Sequence, residues 1–248
     1  MTTTLAVQLY SVREALTADA AGTLAALAQM GYTHVEPYKV DDWVEPLAEA
    51  FEANGLAARS THANPIDGDR DAIFAACHRL GVQRLIQPSS PREIWTDPAA
   101  VSDFATKLNA LAAEVADAGL VLGYHNHEFE IESELDGRRG LEFLADQLDP
   151  AIELQVDTYW AQVGGADVPA LLDTLGQRVT SIHIKDGDGT RDTKNQVAVG
   201  AGQIPVLDFI DAAKHIDTGV VELDDTSLDM MTQVRDSHTF LRKERTWV

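Results

Sequence analysis

Short β-prone runs alternate with longer segments of helical period from one end of the chain to the other. The strand candidates are residues 5–9, 34–37, 57–61, 84–87, 120–124, 152–156, 181–184 and 220–223. Between them lie helix-length stretches rich in Ala and Leu, clearest over 20–30, 98–118 and 206–213, with Asp, Thr or Pro near their starts. Gly31, Gly55, Gly81 and Gly119 each stand shortly before a predicted strand, where a helix commonly ends in a left-handed residue. Eight strand–helix units in 248 residues predict an α/β fold, a single (β/α)8 TIM barrel spanning 1–248. A doubly wound open sheet is the alternative, but Leu9-Tyr10-Ser11-Val12-Arg13 after the first strand contains no glycine for a dinucleotide fingerprint. Gly200-Ala201-Gly202 follows no predicted strand and reads as a loop.

In such a barrel the active site forms at the C-terminal ends of the strands. Those ends are polar here: Glu36 after the second strand, His62 and Asn64 after the third, and Tyr124-His125-Asn126-His127-Glu128 at the fifth. Asp157 closes the sixth, His183, Lys185 and Asp186 the seventh, and Glu222, Asp224 and Asp225 the eighth. Stability alone gives no reason to repeat ionisable groups at one end of six strands, since each must be paired or desolvated there. Each also has a plainer reading: His62 a hydrogen-bonded barrel histidine, Glu36 an anchor for an amide or for Lys185, Asp157 a loop cap, Lys185-Asp186 a surface ion pair. Together, imidazoles and carboxylates from four strands supply the nitrogen and oxygen donors that a divalent cation requires.

Charge narrows the partners. Forty acidic against 19 basic residues give a net charge of −21, which repels phosphate backbones and makes nucleic acid and anionic membranes poor partners. The basic clusters, Arg138-Arg139 and the C-terminal stretch around Arg242, Lys243 and Arg245, read as solvated surface. The single cysteine, Cys77, excludes an internal disulfide and reads as a small buried thiol. The N-terminal string Met1-Thr2-Thr3-Thr4-Leu5 lacks signal-peptide character, and no stretch reaches the roughly 18 apolar residues of a membrane span. A cytoplasmic protein is the expectation, and a homo-oligomer is left open.

With these residues in place, the chain resembles the xylose isomerase-like barrel superfamily, in its sugar phosphate isomerase/epimerase branch. The resemblance rests on Val7-Gln8-Leu9-Tyr10-Ser11, Gly31-Tyr32-Thr33-His34-Val35-Glu36, Tyr124-His125-Asn126-His127, Val156-Asp157-Thr158-Tyr159-Trp160, His183-Ile184-Lys185-Asp186 and Val221-Glu222-Leu223-Asp224, in that order. It implies one divalent metal ion (Mn, Co, Zn or Mg) held by Asp157, His183 and Glu222, with the fifth-strand ligand falling at His125. The family generally has a glutamate there that also moves protons, so His125 is a departure. The sequence leaves open whether His125 binds the metal and His127 moves protons or the reverse, with Glu128 a further candidate.

The implied reaction is isomerisation or epimerisation of a sugar or keto sugar through an enediolate. His127 is the proton-transfer base and Glu222 a ligand that also exchanges a proton. Lys185, His62 and Glu36 are expected to bind or orient sugar oxygens. Trp160 either walls the sugar face or packs in the core. Elimination from the same intermediate would make the protein a keto-sugar lyase or dehydratase, of 3-keto-glycoside or keto-inositol type. A non-catalytic sugar-binding barrel or partner subunit is a further alternative, and the charge disfavours an abasic-site endonuclease. No phosphate loop is visible, which points to a non-phosphorylated substrate.

Overall fold

The computed structural model describes residues 3–247. Met1 and Thr2, which open the N-terminal string read above, and Val248 lie outside the described residues. Eight strands form one parallel sheet: β1 (Thr4–Gln8), β2 (His34–Glu36), β3 (Ser60–His62), β4 (Arg84–Gln87), β5 (Val121–His125), β6 (Glu153–Asp157), β7 (Val179–Ile184) and β8 (Thr218–Val221). Their spatial order is β2-β1-β8-β7-β6-β5-β4-β3. The ends of that order meet through two bridges, His34 with Ala57 and Tyr38 with His62, so the sheet curls into a nearly closed TIM barrel with the helices around it.

The expected strands are all present, some shifted along the chain. The largest displacement is at β3, expected over 57–61 and found at Ser60–His62. Its pairing with β2 is confined to the two bridges, so Ala57 touches β2 without the chain around it forming a continuous ladder. Helices Ala20–Met30, Val44–Asn54 and Arg70–Leu80 end at Gly31, Gly55 and Gly81, all left-handed. Aspartates open many of the helices. The side chains of Asp19, Asp69, Asp97, Asp157, Asp167 and Asp229 each accept from a backbone N–H in the first turn. Part of the acidic excess therefore serves as caps, where it also complements the helix dipoles.

Alternation along each strand divides core from site. Leu154 and Val156 of β6 and Ile182 and Ile184 of β7 join the apolar layer with Leu24, Leu27 and Leu108. Gln155 and Asp157, and Ser181, His183 and then Lys185, occupy the alternate positions and are also buried. At the N-terminal end of the barrel, Arg84 forks onto Asp217 at 2.8 and 2.7 Å and reaches Glu153 at 2.5 Å. Cys77 is fully buried, and burial pushes its thiol up to about 12. Arg138, Arg242 and Lys243 are exposed, in keeping with a solvated surface, while Arg139 donates to the carbonyls of Ile131 and Gly165. Among the described residues, no helix is long and apolar enough to cross a membrane.

Candidate active site at the barrel mouth

Four strands deliver the central group. His125 ends β5, Asp157 ends β6, His183 lies one residue before the end of β7, and Glu222 directly follows β8. One nitrogen or oxygen from each lies within 4.8 Å of the others, and all four side chains are buried. His62 from β3 forms an overlapping set with His125 and His183. Its ring stacks parallel on that of His183 with centroids 5.2 Å apart. Glu128 lies outside the convergent set and is paired with Arg92 and Arg191. His127 is also outside it, with Nδ1 buried and without a hydrogen-bond partner.

Beneath these groups is a polar floor. Glu36 is fully buried and accepts from Gln8 Nε2 at 2.9 Å, Gln155 Nε2 at 2.8 Å, His183 Nε2 at 2.7 Å and the Ser60 hydroxyl. Burial would raise its pKa, but His62, His183 and Ser60 outweigh that and hold it at about 2. With its oxygens committed to protein donors, Glu36 has no contact to offer a sugar. Against the expectation that it orients a sugar oxygen, it does not border the mouth cavity, and it holds His183 and Gln155 in place instead.

Lys185 is also placed otherwise than expected. Its side chain is buried, and Nζ stands 2.9 Å from Asp157 Oδ2, 2.7 Å from Glu222 Oε2 and 2.8 Å from Asp224 Oδ2. Burial disfavours the ammonium, but the three carboxylates overcome this and lift its pKa well above the ordinary value. Its partners are these three carboxylates of the site, which it neutralises, and not Asp186. Asp186 turns to the loop, taking the N–H groups of Gly187, Gly200, Gly202 and Ile204. This explains Gly200-Ala201-Gly202: the backbone wraps a carboxylate belonging to the protein. Trp160 is buried, with Lys185 Nζ 5.7 Å from its ring centre. It does not border the mouth cavity, so the sugar-wall alternative gives way to packing beneath the site.

The remaining ionisable groups divide by environment. Burial would depress His183, but Glu222 and Glu36 on its two nitrogens raise it to about 10. Burial raises Asp157 to about 6 against the pull of Lys185. His125 is driven well below its ordinary value by burial and the neighbouring histidines, and His127 to about 4 by burial and Lys185. Above these groups opens a cavity of about 350 Å³, bordered by Tyr10, Tyr38, His62, His125, His127 and Glu222, among others. A neighbouring hollow of about 360 Å³ beside Arg13 and Met230 contains none of the four convergent donors.

The donor set is suited to a divalent cation, having nitrogen and carboxylate oxygen without sulfur, drawn from rigid strands. Each imidazole also has one nitrogen on a supporting partner, His183 on Glu36 and His125 Nδ1 on Gln155 Oε1 at 3.1 Å. Such outer partners commonly orient metal-binding histidines. Sequence reasoning missed Gln8, Ser60 and Gln155. For Gln155 a signal existed: it lies two residues before Asp157 on the same strand face.

Residues 24–244 match a family model described as the xylose isomerase-like TIM barrel. No curated protein matches the chain. Among solved structures, a sugar phosphate isomerase/epimerase from Parabacteroides distasonis ATCC 8503 superposes with a TM-score of 0.84 at 22% identity, covering 99% of this chain and 96% of that one. A probable 3-DHS dehydratase, AsbF, from Bacillus anthracis gives 0.76 at 11% identity, covering 98% and 100%. The IolI protein with a binding zinc atom gives 0.66 at 16% identity, covering 96% of each chain. At these identities the likeness is one of fold.

Proposed function

We propose, from the premise that the chain belongs to the xylose isomerase-like TIM barrel family, that it is a divalent-metal-dependent isomerase or epimerase of a sugar or keto sugar, working through an enediolate. The observation that carries this reading is the convergence of His125, Asp157, His183 and Glu222 at the floor of an open cavity. These four residues would hold the metal ion. When bound, a divalent ion supplies Lewis-acid stabilisation of negative charge developing on a substrate oxygen, worth several kcal/mol.

The chain's own residues supply the rest. His127 borders the cavity with an unpartnered Nδ1, and its depressed pKa keeps the ring neutral at neutral pH, ready to take a proton from carbon. Lys185 holds Glu222 ionised beside it, so a carboxylate is available to return or exchange that proton. His62 borders the cavity with Nε2 held 2.6 Å from Gln155 Oε1, fixing its ring for contact with a sugar oxygen. Tyr10 and Tyr38, edge to face at 5.4 Å, form an aromatic wall.

A second reading, keto-sugar lyase or dehydratase, is favoured by one feature. The two proton-transfer groups, the His127 imidazole and the Glu222 carboxylate, are chemically unlike, which suits elimination better than a symmetric epimerisation between two like bases. The experiment is metal analysis of protein purified without chelator, followed by incubation of keto sugars in deuterated water. About one ion per chain, lost in Asp157→Ala and His183→Ala, with solvent deuterium entering recovered sugar, is the expected result. An unsaturated ketone absorbing in the near ultraviolet would select the lyase, and metal content unchanged in both variants would overturn the site.

A further inference from the structure

Gln155 sits between the supporting carboxylate and two histidines, and its orientation has only one solution. Its Nε2 donates to Glu36 Oε2 at 2.8 Å. An ionised carboxylate can only accept, so the amide cannot be flipped and Oε1 must face the rings. An amide oxygen likewise only accepts. His125 Nδ1, 3.1 Å away, therefore carries the proton, and in the neutral ring the lone pair lies on Nε2. That nitrogen is 3.8 Å from Asp157 Oδ2. Two donors on one four-coordinate zinc ion with bonds near 2.0–2.1 Å lie about 3.3 Å apart, so only a small closure separates this pair from shared ligation. His183 is fixed by the same carboxylate: Nε2 lies 2.7 Å from Glu36 Oε1, which turns Nδ1 towards Glu222.

We infer that Gln155 is a positioning residue that sets His125 as an Nε2 metal donor, and that the resulting two-nitrogen, two-oxygen set tilts metal choice towards borderline-soft ions such as Co²⁺ or Zn²⁺ and away from Mn²⁺ and Mg²⁺. The inference rests on the metal-dependent reading above and goes beyond it to metal identity. Two features point the same way. With two imidazoles among its four donors the set carries only two negative charges, and hard cations depend most on charged oxygen donors. The Lys185 ammonium, 2.9 and 2.7 Å from the oxygens of Asp157 and Glu222, reduces their field further without affecting the nitrogens.

The test is equilibrium competition between Co²⁺ and Mn²⁺ for the full chain, read as bound metal by mass spectrometry, with the visible spectrum of the Co²⁺ form recorded alongside. Wild type is expected to take Co²⁺ preferentially, and His125→Glu to lower the Co²⁺:Mn²⁺ selectivity by about tenfold or more while still binding metal. Gln155→Leu is expected to weaken Co²⁺ binding by about 10- to 100-fold and to alter the Co²⁺ spectrum, as loss of an orienting partner does. Selectivity unchanged in His125→Glu, or Co²⁺ affinity unchanged in Gln155→Leu, overturns the inference and leaves the metal-dependent reading standing. Wild type binding neither ion overturns both. Should the variants fail to fold, X-ray absorption of the wild-type Co²⁺ form decides: two imidazole nitrogens support the inference and one overturns it.

Discussion

Replacing Glu36 with Gln tests the polar floor directly. The carboxylate faces four donors, from Gln8, Ser60, Gln155 and His183. An amide of the same shape puts an N–H among them and removes the counter-charge on one side of His183. Held at about 2 against an ordinary 4.5, the carboxyl contributes about 3 kcal/mol to stability at neutral pH. The loss expected when one partner leaves a buried charged pair, about 3–5 kcal/mol, agrees. Because the folded pKa is depressed, this contribution is complete above about 4.5 and disappears as the pH falls towards 2. Urea unfolding at a series of pH values should therefore show Glu36→Gln about 3 kcal/mol less stable than wild type near pH 7, with the gap closing between about pH 4.5 and 2. A loss below about 1 kcal/mol, or a gap that persists through the acid range, would refute the account.

Three further outcomes are expected. His127→Ala should lower kcat by about a hundred- to ten-thousand-fold, with a fall in the urea midpoint limited to the lost stacking on Phe129, since Nδ1 makes no hydrogen bond; an unchanged kcat would remove it from the chemistry. Arg84→Ala, at the end of the barrel away from the mouth, should cost about 2 kcal/mol through loss of its bonds to Asp217 and Glu153 while leaving KM unaltered. Gly202→Ala should destabilise by about 1–3 kcal/mol, because a Cβ would overlap the Asp186 carboxylate and stand 2.5 Å from the Gly187 nitrogen; a wild-type melting temperature would mean the loop yields freely.

Much of this architecture was legible because barrel strands announce their polar ends. His125, Asp157, His183 and Glu222 were among the polar residues that position places at the strand ends, and the family resemblance singled them out as a set, with the choice between His125 and His127 left open. Depth was not readable. Glu36 and Lys185 carry charge at the right end of their strands, and only the folded chain brings up the side chains that engage both. Gln8, Ser60 and Gln155 escaped notice because neutral polar residues within a strand are unremarkable until a carboxylate is found between them. Asp186 shows the opposite limit, since the sequence offered a surface pair only as its plainer reading. Its neighbour Lys185 suggested a pair, whereas its partners are backbone amides as far along the chain as Ile204, a contact no local pattern encodes.

The junction of β2 and β3 is crossed by few backbone bonds, from Val35 to Ala57 at one end and from His62 to Pro37 at the other. Between them the stitching passes to side chains, Ser60 to Glu36 and Thr61 Oγ1 to Pro37 O at 2.9 Å. The carboxylate that orients the histidines is thus also a rivet in the barrel wall. An engineer reshaping this cavity for a new ligand could replace Tyr10 or Tyr38 at the rim with little risk to the frame. A change at Glu36 would loosen chemistry and closure together, so its substitution calls for a compensating change at Ser60 in the same step.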